Sequence, residues 1–367
     1  MPLIQPQPGI LDIVPYVPGN LDQLDPDKVV FLASNESPLG ASPAAISAFQ
    51  QCAAKLHLYP DAGCHDLRAA IANRYQLNAE QIVCGNGSER LIDFITSAYA
   101  GPGDEVLYSE FGFIMYPICA QAAGAKPVKA GERDFTADVD ALLNAVSEKT
   151  RIVFLANPNN PTGTYLNNAE LRRLRKQLPE SVLLVIDAAY AEYVTADDYS
   201  AGHELVNNDS ANVVVLHTFS KIYGLASLRL GWAYCPPTVA DVLNRVRGSF
   251  TISGPAQAAG IAAVNDRQHI TKAKEHNSRW LPWLDQALRE LGLNVVPSVG
   301  NFILVRFHSA EQCQDAHRYM SRNGIILRPL AGYGLSDALR ITVGTEQQNH
   351  ICIEALQAFL SQTQTPV

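Results

Sequence analysis

Four stretches of the chain carry side chains whose chemistry goes beyond packing. In Thr218-Phe-Ser220-Lys221, which follows the apolar run Val213 to Leu216, a lysine leaves the end of a strand. Between low-dielectric strands its ammonium can lose a proton near neutral pH and act as nucleophile or base, whereas on a surface it would only be solvated. Arg229 follows in Leu228-Arg-Leu-Gly231. Asp187 closes Leu183-Leu-Val-Ile186, so a carboxylate emerges from a wholly apolar strand. A buried acid needs a partner, although a turn or helix-capping aspartate has the same spacing. Tyr190, three residues on, can bring a phenol to the same edge. Gly85-Asn-Gly87-Ser88 offers free backbone N–H groups at a helix start, where a phosphate can sit, and reads equally as a tight strand-to-helix turn. Asn157-Pro-Asn-Asn160-Pro-Thr-Gly163 has the composition of a rigid loop and carries an amide at Asn160.

The elements that must hold these groups are short β-branched runs alternating with helical patterns. Residues 81–84, 105–108, 151–155, 182–186 and 213–216 read as buried strands. Helices are expected between them: Ser42-Pro43 is an N-cap followed by proline at the first helical position, and Leu67, Ile71 and Tyr75 recur every fourth residue. This alternation predicts an α/β fold with a mostly parallel sheet, whose ligands lie beyond the carboxyl ends of its strands. After Ser253 a long helical stretch runs through Trp283, and a smaller α+β C-terminal domain follows. Its strands are expected at 302–306, 324–328 and 339–343, with a last helix opened by the capping box Thr345-Glu-Gln-Gln348. The expected units are an N-terminal segment, 1–39, packing with the small domain, a large domain, 40–253, and the small domain, 254–367.

Composition narrows the chemistry. A net charge of −8 provides no field for nucleic acid. The seven cysteines never form C-x-x-C, which predicts reduced thiols in a cytoplasm, and Cys52, His57, Cys64 and His65 fit no closed zinc site, so no metal is expected. No apolar run is long enough for a membrane span, and the N-terminus does not look like a signal peptide. The motifs G-x-x-x-x-G-K-[ST], G-x-S-x-G and H-E-x-x-H are absent, and Arg90 spoils a dinucleotide fingerprint at Gly85. A phosphate cradle, a lone carboxylate, a phenol, an amide and a lysine on successive strand ends together suit pyridoxal 5′-phosphate.

The motifs NPNNPTG at 157–163, Asp187-Ala-Ala-Tyr190, Thr218-Phe-Ser-Lys221 and Arg229-Leu-Gly231, in that order, resemble the fold-type I pyridoxal-phosphate aminotransferases. Within that family Pro15-Tyr16-Val-Pro-Gly19, Ser34-Asn-Glu-Ser-Pro-Leu-Gly40, Tyr59-Pro-Asp61, Arg328-Pro-Leu330 and Leu339-Arg340-Ile-Thr-Val-Gly-Thr345 resemble the histidinol-phosphate subfamily. The resemblance implies an aspartate aminotransferase-like fold, and a Schiff base from Lys221 to the cofactor, with Lys221 also carrying protons. It implies Asp187 on the pyridine nitrogen, Asn160 and Tyr190 on the 3′ oxygen, and Phe113 stacked on the ring. Gly87, Ser88, Thr218, Ser220 and Arg229 would surround the cofactor on its phosphate side, joined there by Tyr59 of a second subunit in a homodimer with shared sites. Tyr16, Arg328 and Arg340, with Asn160, would hold small-molecule substrates, a phosphorylated amino alcohol and 2-oxoglutarate.

The chain departs from many relatives at Glu89-Arg90, His217, Ser249 and Thr251. Ser249 and Thr251 are expected near the substrate entrance, so these departures bear on specificity. Two other activities of the same cofactor stay open on these residues, aromatic amino acid transamination and decarboxylation of a phosphoamino acid. A pyridoxal-sensing regulator is not expected, because the roughly 40 residues before Gly40, which begin with the three prolines Pro2, Pro6 and Pro8, cannot supply a helix-turn-helix.

Overall fold

The computed structural model describes residues 6, 8–14, 29–206 and 212–363. Its centre is a seven-stranded sheet made of Ile82–Gly85 (β1), Glu105–Ser109 (β2), Lys126–Ala130 (β3), Thr150–Ala156 (β4), Leu183–Asp187 (β5), Val213–Thr218 (β6) and Gly231–Tyr234 (β7), in the order β1-β7-β6-β5-β4-β2-β3. All neighbours run parallel except β7, which is antiparallel to both β1 and β6. Side chains alternate between two cores: Val153, Leu155, Leu184, Ile186, Val213 and Val215 face one way, and Ile152, Phe154, Leu183, Val185, Val214 and Leu216 the other. Helices cover both faces, so a strand here is apolar at every position rather than at every second one.

Two strands of this sheet were not expected. β3 is an edge strand whose Lys126 and Lys129 point to solvent, so it has no apolar run to betray it. β7, Gly-Trp-Ala-Tyr, follows a 3-10 turn so closely that it reads as the tail of the arginine motif.

A four-stranded antiparallel sheet follows, made of Asn294–Val296 (β8), Phe302–Arg306 (β9), Arg328–Leu330 (β10) and Leu335–Thr342 (β11), in the order β8-β9-β11-β10. The run expected as one strand at 324–328 is divided. Ile325–Ile326 pairs in parallel with Val30–Phe31, and the chain joins the four-stranded sheet only at Arg328. The long helical stretch is also broken. Asp266 ends the helix Gly254–Asn265 and, with its carboxylate accepting from the His269 N–H at 3.0 Å, caps the helix Arg267–Glu290. The final helix, Glu346–Thr363, begins with both hydrogen bonds of the capping box, Thr345 N to Gln348 Oε1 at 2.9 Å and Gln348 N to Thr345 Oγ1 at 3.3 Å.

Candidate active site

Register brings the sequence motifs to one level of the central sheet. Ala156, Asp187 and Leu216 are lateral partners on β4, β5 and β6, and Gly231 pairs with both Thr218 and Gly85. The loops leaving those ends enclose a cavity of about 270 Å³. Ser88, Phe113, Asn160, Asp187, Tyr190, Thr218, Ser220, Lys221, Arg229, Arg328 and Arg340 all line it.

Asp187 is 6% exposed. Tyr116 donates to its Oδ2 at 3.0 Å and the Ala189 N–H to its Oδ1 at 3.3 Å. Burial raises the carboxyl pKa, and these hydrogen bonds, with His217 and Lys221, oppose the rise without overcoming it. A carboxylate in that position gains most from a cationic N–H partner. Lys221 donates to the Ser34 carbonyl at 2.8 Å. Withdrawal from solvent, helped by the Arg340 and Arg229 cations, lowers its ammonium to about 7, against the pull of Glu36 and Asp187.

On the phosphate-cradle side, Gly87 caps the helix Ser88–Tyr99 with φ +85°, and a Cβ there would lie 2.7 Å from an Arg229 guanidinium nitrogen. Arg229 itself has φ +50° and donates to Ser220 Oγ at 3.3 Å and to the Ala226 carbonyl at 3.0 Å. Helix N-terminal amides, a hydroxyl and a guanidinium thus converge where an anion would be held.

On the opposite wall Arg340, 6% exposed, donates to Asn160 Oδ1 and, at 2.6 Å, to the Ala33 carbonyl. Arg328 and Arg340 are direct partners across β10 and β11, and both line the cavity. Asn157 acts locally. Its amide clamps the Leu166 backbone on both sides, at 2.7 and 3.2 Å, and so fixes the loop that carries Asn160.

Tyr59 does not line this cavity. It is 82% exposed and stacks on Phe250 with ring centres 4.5 Å apart. Tyr16 lies outside the described residues. Of the departures, Glu89 lines the cavity, whereas Arg90 pairs with Asp93. Neither Ser249 nor Thr251 is among the lining residues. The His217 ring turns to the other face, stacking on Trp232 at 4.3 Å, with Nδ1 3.0 Å from Glu192 and Nε2 2.8 Å from His203. Burial, with His217 beside it, pushes His203 down to about 3. Among the described residues no group of histidine, cysteine and carboxylate side chains is arranged to hold a metal ion.

Sequence reasoning missed Tyr116, Asn35 and Tyr333. Tyr116 is 71 positions from the carboxylate it supports, and Asn35 meets Tyr190 across 155. Tyr333 enters the cavity from a 3-10 turn after β10. No spacing rule spans such distances.

Residues 27–356 match the family model for aminotransferase class I and II. The histidinol-phosphate aminotransferase of Paramagnetospirillum magneticum is 55% identical, over 97% of this chain and 98% of its own length. That of Maricaulis maris is 50% identical, over 97% and 99%. Among solved structures, the histidinol-phosphate aminotransferase from Sinorhizobium meliloti in complex with pyridoxal-5′-phosphate is similar with a TM-score of 0.88 at 27% identity, covering 97% of this chain and 98% of that one. The aspartate aminotransferase of Thermus thermophilus with maleate shares the fold, with a TM-score of 0.80 at 20% identity over 90% and 92%.

Proposed function

The chain belongs to the class I and II aminotransferases, and on that premise we propose that it moves the amino group of L-histidinol phosphate to 2-oxoglutarate, using pyridoxal 5′-phosphate and giving imidazole acetol phosphate and glutamate. The observation that carries the reading is the convergence of Asp187, Tyr190, Asn160, Lys221 and Arg229 on one cavity, in a chain whose near full-length relatives bear that name. The residues fit the cofactor. Gly87 leaves beside Arg229 the space that a Cβ would fill, and the buried Asp187 suits a cationic partner.

When bound, the cofactor supplies a sink for the electrons left when the substrate loses its Cα proton. Lys221 would hold the cofactor aldehyde until the substrate amine displaces it, and the freed ε-amine, its ammonium lowered to about 7, can then take a proton from the substrate Cα and return one at neutral pH. Asp187, held by Tyr116 and the Ala189 amide, keeps a proton on the ring nitrogen. Asn160 and Tyr190 would hold the ring's 3′ oxygen, and Phe113 would cover the ring. The amides of Gly87 and Ser88, with Ser220 and Arg229, would hold the phosphate, while Thr218 Oγ1 accepts from the Ser220 N–H at 3.1 Å and fixes that turn. Arg328 and Arg340, joined by Tyr16, bind the anionic ends of the two substrates in turn, for which guanidinium forks are suited.

The protein acts as a homodimer in which Tyr59 serves the partner's site. Support comes from its 82% exposure in the single chain and from its exposed apolar neighbours Leu56, Leu58 and Phe250, a surface suited to a second copy. Free thiols at all seven cysteines support a cytoplasmic location.

A panel of amino donors with 2-oxoglutarate, read as glutamate formed, tests the substrate. Histidinol phosphate should exceed phenylalanine and tyrosine. Equal rates would favour an aromatic aminotransferase, and carbon dioxide released from threonine phosphate without a keto acid would favour a decarboxylase.

A further inference from the structure

Asn35 lies in the segment that leaves the short strand Val30–Phe31, between the four-stranded sheet and the loop that follows β5. It is 1% exposed and holds φ +55°, a left-handed conformation that asparagine tolerates better than most residues. Every polar group it carries is engaged. Its N–H donates to Thr342 Oγ1 at 2.9 Å, its carbonyl accepts from Asn301 Nδ2 at 3.0 Å, its Oδ1 lies 3.2 Å from Thr342 Oγ1, and its Nδ2 donates to the Tyr190 oxygen at 2.9 Å.

These contacts have a direction. Thr342 Oγ1 already accepts from the Asn35 backbone, so its single proton goes to Asn35 Oδ1. The amide oxygen is thereby fixed on the threonine side and the amide nitrogen on the tyrosine side. The reverse orientation would aim two donors at Thr342 Oγ1 and leave its proton without an acceptor. Tyr190 must then accept on the side facing Asn35 and turn its own proton away. Asn35 is its only hydrogen-bond partner among the described residues, and Tyr190 lines the cavity.

We infer that Thr342 and Asn35 form a directional hydrogen-bond chain from the small sheet to the cavity, which fixes Tyr190 as a donor into the cofactor site. Asn35 is a positioning residue acting through Tyr190, and the inference rests on the reading that Tyr190 meets the cofactor's ring oxygen. Other groups facing the phenol are Asp187, Arg340 on β11, Tyr333, and Lys221, whose Nζ is 5.8 Å from the ring centre. Burial outweighs the Arg340 cation and the Asn35 hydrogen bond and pushes the phenol up to about 12, so its proton is present at neutral pH.

The readout is the pH midpoint of the visible absorption band of the cofactor-loaded protein. A donor to the ring oxygen lets the proton shared between that oxygen and the Lys221 nitrogen leave at lower pH, so loss of the donor raises the midpoint. Tyr190→Phe should raise it by about one to two pH units. Asn35→Asp replaces the donor by an acceptor that draws the tyrosine proton back, and its shape is nearly unchanged. Its new charge acts alike with or without the hydroxyl. The midpoint shift caused by Asn35→Asp should therefore exceed, by about one pH unit, the shift that the same change causes in a Tyr190→Phe background.

Thr342→Val, which frees the amide to flip, should raise the midpoint, and Thr342→Ser should leave it in place. Equal shifts from Asn35→Asp in the two backgrounds, or no shift from Thr342→Val, would overturn the inference. So would an unmoved midpoint in Tyr190→Phe, which alone would show that the underlying role of Tyr190 has failed. If Asn35→Asp does not fold, the Thr342 pair decides.

Discussion

On the role proposed for Asp187, the change Asp187→Asn separates charge from shape at the cofactor's nitrogen. The residue is 6% exposed, and an amide fills the same space. Tyr116, which donates to Oδ2 at 3.0 Å, can turn its hydroxyl to accept from the new NH2, and the Ala189 N–H keeps an acceptor at Oδ1. The fold should therefore survive, and the cofactor should remain bound through Lys221 and the phosphate contacts. What disappears is the attraction between a carboxylate and a ring N–H at hydrogen-bond distance. At about 3 Å and an effective dielectric of about 20 this is roughly 5 kcal/mol. If that stabilisation is expressed in the transition state, transamination falls by about four orders of magnitude.

The assay is single-turnover loss of the amino donor, with cofactor content read by absorbance. Turnover within tenfold of the parent, at full cofactor content, would refute the role given to Asp187. The cofactor-free protein offers a second reading. The folded-state pKa of Asp187 is raised by burial, so the native state holds that proton more tightly than the unfolded state. The stability this gives is present below the unfolded pKa and lost as pH rises through the folded one. Asp187→Asn lacks the loss, so relative to the parent its melting temperature should be higher at pH 7 than at acid pH.

Arg328→Ala should raise the KM for the phosphorylated donor by about 10- to 150-fold, the effect of about 1.5 to 3 kcal/mol for a charge-assisted hydrogen bond. Arg340→Ala should do the same and also lower the melting temperature, because the Ala33 carbonyl and Asn160 Oδ1 lose a buried donor. With the Lys221 ammonium lowered to about 7, capture of pyridoxal phosphate by the cofactor-free protein should accelerate with a midpoint near pH 7 rather than above 10, as followed by stopped-flow absorbance. The same shift means that the unfolded chain binds more protons there between about pH 7 and 10.5, so this group's contribution to stability rises across that window. Lys221→Met should accordingly stabilise the cofactor-free protein most below pH 7. Mixing Lys221→Ala with Tyr59→Asp, each nearly inactive alone, should restore about a quarter of the sites through random pairing. No recovery in proven heterodimers would sink the shared site.

Much of this site was legible because its groups sit at strand ends. Asp187 after four apolar residues and Lys221 after β6 are local patterns, and parallel pairing alone sets them side by side. Gly85 to Ser88 was equally readable, since a strand passing into a helix through glycine is a local event. The supports were not. Tyr116 sits in a helix whose pattern marks it as core, and only the tertiary fold aims its hydroxyl at Asp187. Asn35 owes its place to partners 155 and 307 residues away. The division of 324–328 follows from Val30–Phe31 claiming Ile325–Ile326, a competition that hydrophobic pattern does not record.

The most direct measurement is hydride reduction of the cofactor-loaded protein followed by peptide mass mapping. Borohydride fixes the cofactor covalently on the amine that holds it. The cavity geometry and the lowered ammonium predict one pyridoxyl group per chain, on Lys221, with no label in a Lys221→Ala variant. Label on another lysine, or none in a protein that transaminates, would contradict the account.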